Sequence, residues 1–237
     1  MNKIATQFKQ SNFLRFYFIP ILIIWLIGLM FLFAKGYNDS FLLLNSYHSP
    51  WLDYPMLVLT MLGDAGFMAV VLIFLLIKKQ PFQLMLLLIA IIVSGILAQL
   101  LKHNVFSEWH RPPYLFKEQV YTVANYMLYH YSFPSGHSTT VAAVFTMLAI
   151  FRKEHKAELL FYAVVCPLIA YTRVYLGIHF LGDVVAGILL GFICAISIAS
   201  FIKAFEIKLK SGLIILLRMA AVIAAAIILI EFFRKYL

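Results

Sequence analysis

The chain alternates long apolar runs with short polar segments, and the runs have the length of membrane-crossing helices. A helix that crosses about 30 Å of hydrocarbon needs roughly 20 mostly apolar residues. Seven stretches meet or approach that length: 17–34, 54–77, 82–101, 136–151, 159–175, 180–202 and 213–233. The fourth is short for a full crossing unless the helix continues past its last apolar residue. The seventh carries Arg218 and Glu231 near its ends, where long side chains can reach the interface. The first follows Lys3, Lys9 and Arg15, yet its apolar core is too long for a secretion signal. Phe33-Ala34-Lys35 is no small-residue cleavage site either, so this stretch reads as a retained helix. No repeat, low-complexity tract or linker divides the chain. The pattern predicts one all-α domain over residues 1–237, a polytopic transmembrane helix bundle.

Composition agrees. Of 237 residues, 64% are hydrophobic and 12% charged, against about 45–50% and about 25% in soluble domains. A net charge of +9 would suggest nucleic acid in a polar protein. Here the cations cluster at the ends of apolar runs, which is membrane topology, so membrane lipids are the expected surroundings. Neither nucleic acid nor a protein partner is predicted. Cys166 and Cys194 both lie inside apolar runs and imply no disulfide framework. With the N-terminus inside, the inner segments hold eleven Lys and Arg residues and the outer ones seven. Three of the outer seven (Lys102, Arg111 and Arg173) have another explanation below. The bias predicts a cytoplasmic N-terminus.

Two outer segments carry more than a connection requires. In 36–53, Asn38-Asp39-Ser40 precedes Phe41-Leu42-Leu43-Leu44, a cap for a short helix lying on the membrane surface. The segment 102–134 is too long for a turn and rich in aromatic residues, which places it at headgroup level.

Ionisable groups at the ends of apolar helices cost free energy unless they pair or act. They form three clusters, all at the outer side by the topology above. Lys102 ends the third run, with Arg111-Pro112 following; Pro134-Ser135-Gly136-His137 opens the fourth; Arg173 ends the fifth, ahead of His179 and Asp183. A phosphate ligand would use all of them. Lys102, Arg111 and Arg173 supply three positive charges, and the arginines bind phosphate oxygens bidentately. Ser135 and Gly136 stand at a helix start, where N–H groups and the helix dipole favour an anion. His179 and Asp183 lie four residues apart on one helix face. A carboxylate holding one imidazole nitrogen leaves the other free to attack phosphorus. His137 is placed as the general acid for the departing oxygen, then as the base for water attacking a phosphohistidine. Three cations and helix N–H groups neutralise the charge, so no cofactor and no metal are predicted.

These clusters resemble the three signature motifs of the type 2 phosphatidic acid phosphatase superfamily, integral-membrane lipid phosphatases related in fold to vanadium haloperoxidases. The family pattern is Lys, six residues, Arg-Pro; Pro-Ser-Gly-His; and Ser-Arg, five residues, His, three residues, Asp. This chain has Lys102, eight residues, Arg111-Pro112; Pro134-Ser135-Gly136-His137; and Thr172-Arg173, five residues, His179, three residues, Asp183. The first gap is longer by two, which leaves the partnering of Lys102 with Arg111 to be tested; Thr172 keeps a hydroxyl. The resemblance implies a six-helix core over about 54–202, with the run at 213–233 a C-terminal addition. It implies His179 as nucleophile, Asp183 as its orienter and His137 as acid and base, with Lys102, Arg111, Ser135, Gly136 and Arg173 holding phosphate. The implied substrate is a phospholipid or isoprenoid-lipid phosphate at the outer, periplasmic face. Undecaprenyl diphosphate, phosphatidylglycerol phosphate, phosphatidic acid and lipid A phosphates all fit. The compact chain points to a bacterial inner membrane.

Singly, each residue has a plainer reading: interfacial cations that snorkel, histidines bonded in a core, a carboxylate favoured by a helix dipole. Their shared order and side argue against coincidence. Asp64, in Leu62-Gly63-Asp64-Ala65-Gly66, interrupts the second run and reads as a structural break facing the pocket. His103, Glu108, His110 and His130 receive no role. The same residues would also serve a phosphotransferase that passes the group to a lipid or sugar hydroxyl. A transporter is disfavoured, because its polar groups belong near mid-membrane.

Overall fold

The computed structural model describes residues 12–123 and 128–205, together with scattered positions between 212 and 227. Helices account for all the regular structure among these residues. In chain order they are α1 (Leu14–Lys35, opening on a π-helical turn over Leu14–Phe18), α2 (Tyr37–Ser46), α3 (Pro50–Met61), α4 (Ala65–Leu76) and α5 (Pro81–Asn104). There follow α6 (Pro112–Phe116), a 3₁₀ turn (Lys117–Gln119), α7 (Gly136–Phe151), α8 (Lys156–Tyr175) and α9 (Leu181–Phe205). Four of them, α1, α5, α8 and α9, are long and apolar enough to cross a membrane. The protein is an integral membrane protein. The run expected at 213–233 lies mostly outside the described residues. From Arg218, Nε and Nη2 donate to the carbonyls of Ile77 and Lys78 at 3.1 and 3.0 Å.

The structure answers three expectations. The second run is interrupted where Asp64 leads one to expect it, with α3 and α4 meeting at 68°. The first helix closes at Leu62, and Asp64, with extended backbone, starts the second, its Oδ1 accepting from Phe67 N–H at 2.9 Å as the cap. Helix α2 begins at Tyr37, directly after Gly36 at φ 82°, and is not capped by the Asn38-Asp39-Ser40 side chains. One face of it packs into the bundle, with Ser40, Phe41 and Asn45 buried. Finally, α7 stops at Phe151 with no extension, so its 16 residues span about 24 Å at 1.5 Å each.

A helix that short can be central because its neighbours enclose it. From Ser138 to Met147 every residue of α7 is buried, hydroxyls included; Thr146 pairs with the Tyr17 hydroxyl at 2.7 Å. Buried polar groups are tolerable when bonded. The closest neighbour is α9, which approaches through Gly187 and Gly191, spaced four apart on one face. A Cβ at Gly187 would lie 2.7 Å from the Ser135 carbonyl oxygen, and one at Gly191 2.2 Å from that of Thr139. Apolar solvent supplies no hydrophobic force between helices, so close backbone approach through small residues is how they associate. This contact sets the start of α7 beside the start of α9, and Ser135 N–H donates to the Asp183 carbonyl at 3.0 Å.

Candidate active site

The three clusters converge at one end of the bundle. From the first, Lys102 Nζ at the C-terminal end of α5 donates to the Tyr131 carbonyl at 2.8 Å. Arg111 reaches the same carbonyl from Nη2 at 3.4 Å and the His130 carbonyl from Nε at 2.8 Å. Its own backbone N–H donates to Tyr129, while Ser132 N–H donates to Trp109, both at 2.8 Å. The two ends of the long loop are thereby clasped. The longer gap between Lys102 and Arg111 does not separate them, because both side chains meet at Tyr131.

The third cluster hangs on a turn that glycine permits. Gly177 has φ 78°, and a Cβ there would lie 2.3 Å from the Tyr121 carbonyl oxygen. Its left-handed backbone turns the chain between Arg173 and His179. On the preceding turn, Arg173 is buried and Nη1 donates to Thr60 Oγ1 at 2.8 Å. Thr60 stands just before the α3–α4 break, and at that break Gly63 packs on His137: a Cβ on Gly63 would lie 3.0 Å from Cδ2. The break thus serves the site through Gly63, with Asp64 left as a cap.

His179 and Asp183 form the centre, exposed by 2% and 0%. Nδ1 of His179 lies 2.9 Å from Asp183 Oδ2, and Nε2 lies 3.0 Å from Arg111 Nη1. A guanidinium can only donate and a carboxylate only accept. The imidazole therefore carries its proton on Nδ1 and keeps the lone pair on Nε2. Burial pushes His179 well below the ordinary histidine range, helped by the charges of Arg111, Lys102, Arg173 and His137. All four are near enough to act on one imidazole. Burial also lowers the Arg111 guanidinium, to about 10, with Asp183 pulling the other way. It stays charged at neutral pH.

Helix α7 opens on Ser135, whose Oγ accepts from Ser138 N–H at 3.4 Å and from Ser138 O–H at 2.9 Å. Gly136 and His137 lie ahead of the first intrahelical bond, from Thr139 N–H to the Ser135 carbonyl at 3.0 Å. A Cβ on Gly136 would meet nothing within 4 Å, so there is open space over this backbone. Among the described residues, no group of three His, Cys, Asp or Glu side chains could hold a metal ion.

Two residues of the site had no counterpart in the motifs. Ser132 O–H donates to Asp183 Oδ2 at 2.5 Å, and the Tyr37 hydroxyl donates to Asp183 Oδ1. Burial beside that carboxylate raises the Tyr37 hydroxyl above the ordinary tyrosine range. Nearby, the His103 ring packs at a tilt against Tyr131, and His110 faces His130 with Nδ1 atoms 3.2 Å apart. Trp109, Phe106 and Phe133 form an aromatic wall with centroids 4.6–5.2 Å apart. Glu108 is exposed, its carboxylate 3.5 Å from Ser107 Oγ.

The fold and site together define a membrane-embedded helical bundle with a buried imidazole–carboxylate pair ringed by cations. The chain belongs to the PAP2 superfamily, which it matches over residues 83–207, more than half its length. It is similar to the lipid A 4'-phosphatase of Porphyromonas gingivalis, 29% identical over 66% of this chain and 68% of that protein. It is also similar to phosphatidylglycerophosphatase B of Bacillus subtilis, 35% identical over 34% of this chain but 41% of that protein's length. The crystal structure of Aquifex aeolicus LpxE superposes with a TM-score of 0.60 at 33% identity, covering 69% of this chain and 94% of that one. A PAP2-type phosphatidylglycerolphosphate phosphatase from Bacillus subtilis gives 0.56 at 26% identity, with coverages of 79% and 97%.

Proposed function

We propose that the protein is a membrane lipid phosphatase that hydrolyses a lipid phosphomonoester or diphosphate through a phosphohistidine on His179. The observation that carries this is the chain Asp183–His179–Arg111. It fixes the tautomer from both sides and holds Nε2 against the Arg111 guanidinium. An incoming phosphoryl group takes the Nη1 donor onto its own oxygen and releases the Nε2 lone pair. That lone pair then attacks phosphorus, the bond from phosphorus to the lipid oxygen breaks, and His137 protonates the departing oxygen. Water, losing its proton to His137, attacks the phosphohistidine. The phosphorus–nitrogen bond breaks, and inorganic phosphate leaves. Lys102, Arg111 and Arg173, with the N–H groups of Gly136 and His137 and the Ser135 hydroxyl, hold the oxygens as charge builds. No step calls on a metal.

The cation count favours a site at the outer face, the periplasmic side of an inner membrane. The named activities of the relatives, on lipid A and on phosphatidylglycerophosphate, support a lipid substrate. The test is phosphate release by detergent-solubilised protein in chelator, over lipid A, phosphatidylglycerol phosphate, phosphatidic acid and undecaprenyl diphosphate. Parent protein should act on at least one, and His179→Ala on none. Equal activity of the two would overturn the mechanism. Acceptor lipids added to the same assay would reveal a phosphotransferase by a phosphorylated acceptor in place of free phosphate.

A further inference from the structure

The orienting carboxylate is itself oriented from outside the part of the chain that matches the family. Asp183 is wholly buried and accepts from four donors. Three of them meet Oδ2: His179 Nδ1 at 2.9 Å, Ser132 Oγ at 2.5 Å and Phe180 N–H at 3.0 Å. Tyr37 supplies the donor at Oδ1, from the first position of α2 and far ahead of residue 83. The Tyr37 ring is tightly held. It packs on Phe180 with centroids 4.6 Å apart, meets Trp109 edge-on at 5.6 Å, and covers Gly182, where a Cβ would lie 2.3 Å from Cε2. Gly36, at φ 82°, turns the chain from α1 into α2 and delivers the ring there.

We propose that Tyr37 is a positioning residue for the reaction: its hydroxyl anchors Oδ1, so that Oδ2 faces Nδ1 and keeps His179 in its attacking tautomer. A carboxylate held at one oxygen alone can rotate about its Cβ–Cγ bond; held at both, it presents a fixed acceptor. The donor at Oδ1 also shares the negative charge that the imidazole feels. Without it the anion is less compensated, so the His179–Asp183 pair takes up a proton at higher pH. This inference rests on the phosphatase reading, with His179 as the nucleophile.

The test compares the parent with Tyr37→Phe, which keeps the packed ring and removes one oxygen. Ser132→Ala removes a donor at the other carboxylate oxygen, and Tyr17→Phe removes a buried hydroxyl elsewhere, the one bonded to Thr146. Tyr37→Phe should lower kcat about tenfold with KM within about twofold, roughly the worth of one transition-state hydrogen bond. The acid limb of its kcat/KM profile should rise by about half a pH unit. Ser132→Ala should move the limb the same way, and Tyr17→Phe should lower thermal stability with the limb in place. Nitrogen chemical shifts of labelled imidazoles, assigned to His179 by their loss in His179→Ala, read tautomer and titration without any substrate. They should show an Nδ1–H imidazole in the parent and an upward-shifted midpoint in Tyr37→Phe. If Tyr37→Phe loses stability while both limb and midpoint stay put, Tyr37 is structural and the proposal fails. If the parent releases no phosphate, the phosphatase reading fails, and the imidazole titration still decides whether Tyr37 acts on Asp183.

Discussion

Gly191→Ala tests whether the helix contact, more than the motif residues alone, assembles the site. The added methyl would sit 2.2 Å from the Thr139 carbonyl oxygen and 2.8 Å from both Ala142 Cβ and Ala143 N. Backbone cannot step aside as a flexible side chain can, so α7 and α9 must separate by roughly 1 Å to restore ordinary contact. Overpacking of this kind costs about 1–3 kcal/mol of stability. The larger effect falls on activity. Ser135 N–H is bonded to the Asp183 carbonyl across this contact, with His137 two residues beyond Ser135 and His179 four before Asp183. A shift of about 1 Å between the proposed acid and the proposed nucleophile can cost on the order of 100-fold in rate. Gly95→Ala is the control: on α5, a Cβ would meet nothing within 4 Å, and replacing a helical glycine gains up to about 1 kcal/mol. Phosphate release and thermal unfolding in detergent would be measured for both variants. Gly95→Ala should equal or exceed the parent in stability with unchanged kcat/KM, while Gly191→Ala should lose in both. Parent-like kcat/KM in Gly191→Ala would refute the argument that this contact sets the distance between the histidines.

Three further outcomes follow from the site. Because burial and four cationic neighbours hold His179 below the usual histidine range, its neutral form persists into mild acid. The acid limb of kcat/KM should therefore lie below pH ~6.5, the unperturbed value; a limb above it would contradict the assignment. Arg111→Lys removes a guanidinium that donates to three carbonyls and to His179 Nε2. An ammonium cannot copy that planar fork, so kcat/KM should fall by about 100-fold or more, and a fall within threefold would contradict a bidentate role. Thr60→Val deletes the hydroxyl bonded to buried Arg173. Losing a hydrogen bond to a charged group costs about 1.5–3 kcal/mol, visible as a lower unfolding temperature; unchanged stability would show that another group replaces the hydroxyl.

Residues proposed to do the chemistry are easier to read from the sequence than residues that hold them. Lys102, Arg111, His137, Arg173, His179 and Asp183 are charged or titratable groups where apolar pattern leads one to expect none, and that anomaly is visible without coordinates. Tyr37 and Ser132 carry no such mark. A tyrosine near a helix end looks like any member of an aromatic belt, and a serine three residues before Ser135 looks like loop. Only the fold shows that both hydroxyls reach one carboxylate. The break between α3 and α4 was half legible: Gly63-Asp64 announced an interruption, but the side chain that caps and the backbone that touches His137 belong to different residues. At the start of α2, Asn38-Asp39-Ser40 matches cap chemistry in the sequence, whereas Gly36 makes the turn with its backbone alone.

Since Lys102 and Arg111 are gathered by one main-chain oxygen, at Tyr131, the count of residues separating them is free to drift. A chain with that stretch lengthened or trimmed would still present the same two charges. What must be preserved is the stem that pairs residues 109–111 with 129–132, and a genealogical comparison keyed to that stem would align such chains where one keyed to linear spacing would lose them.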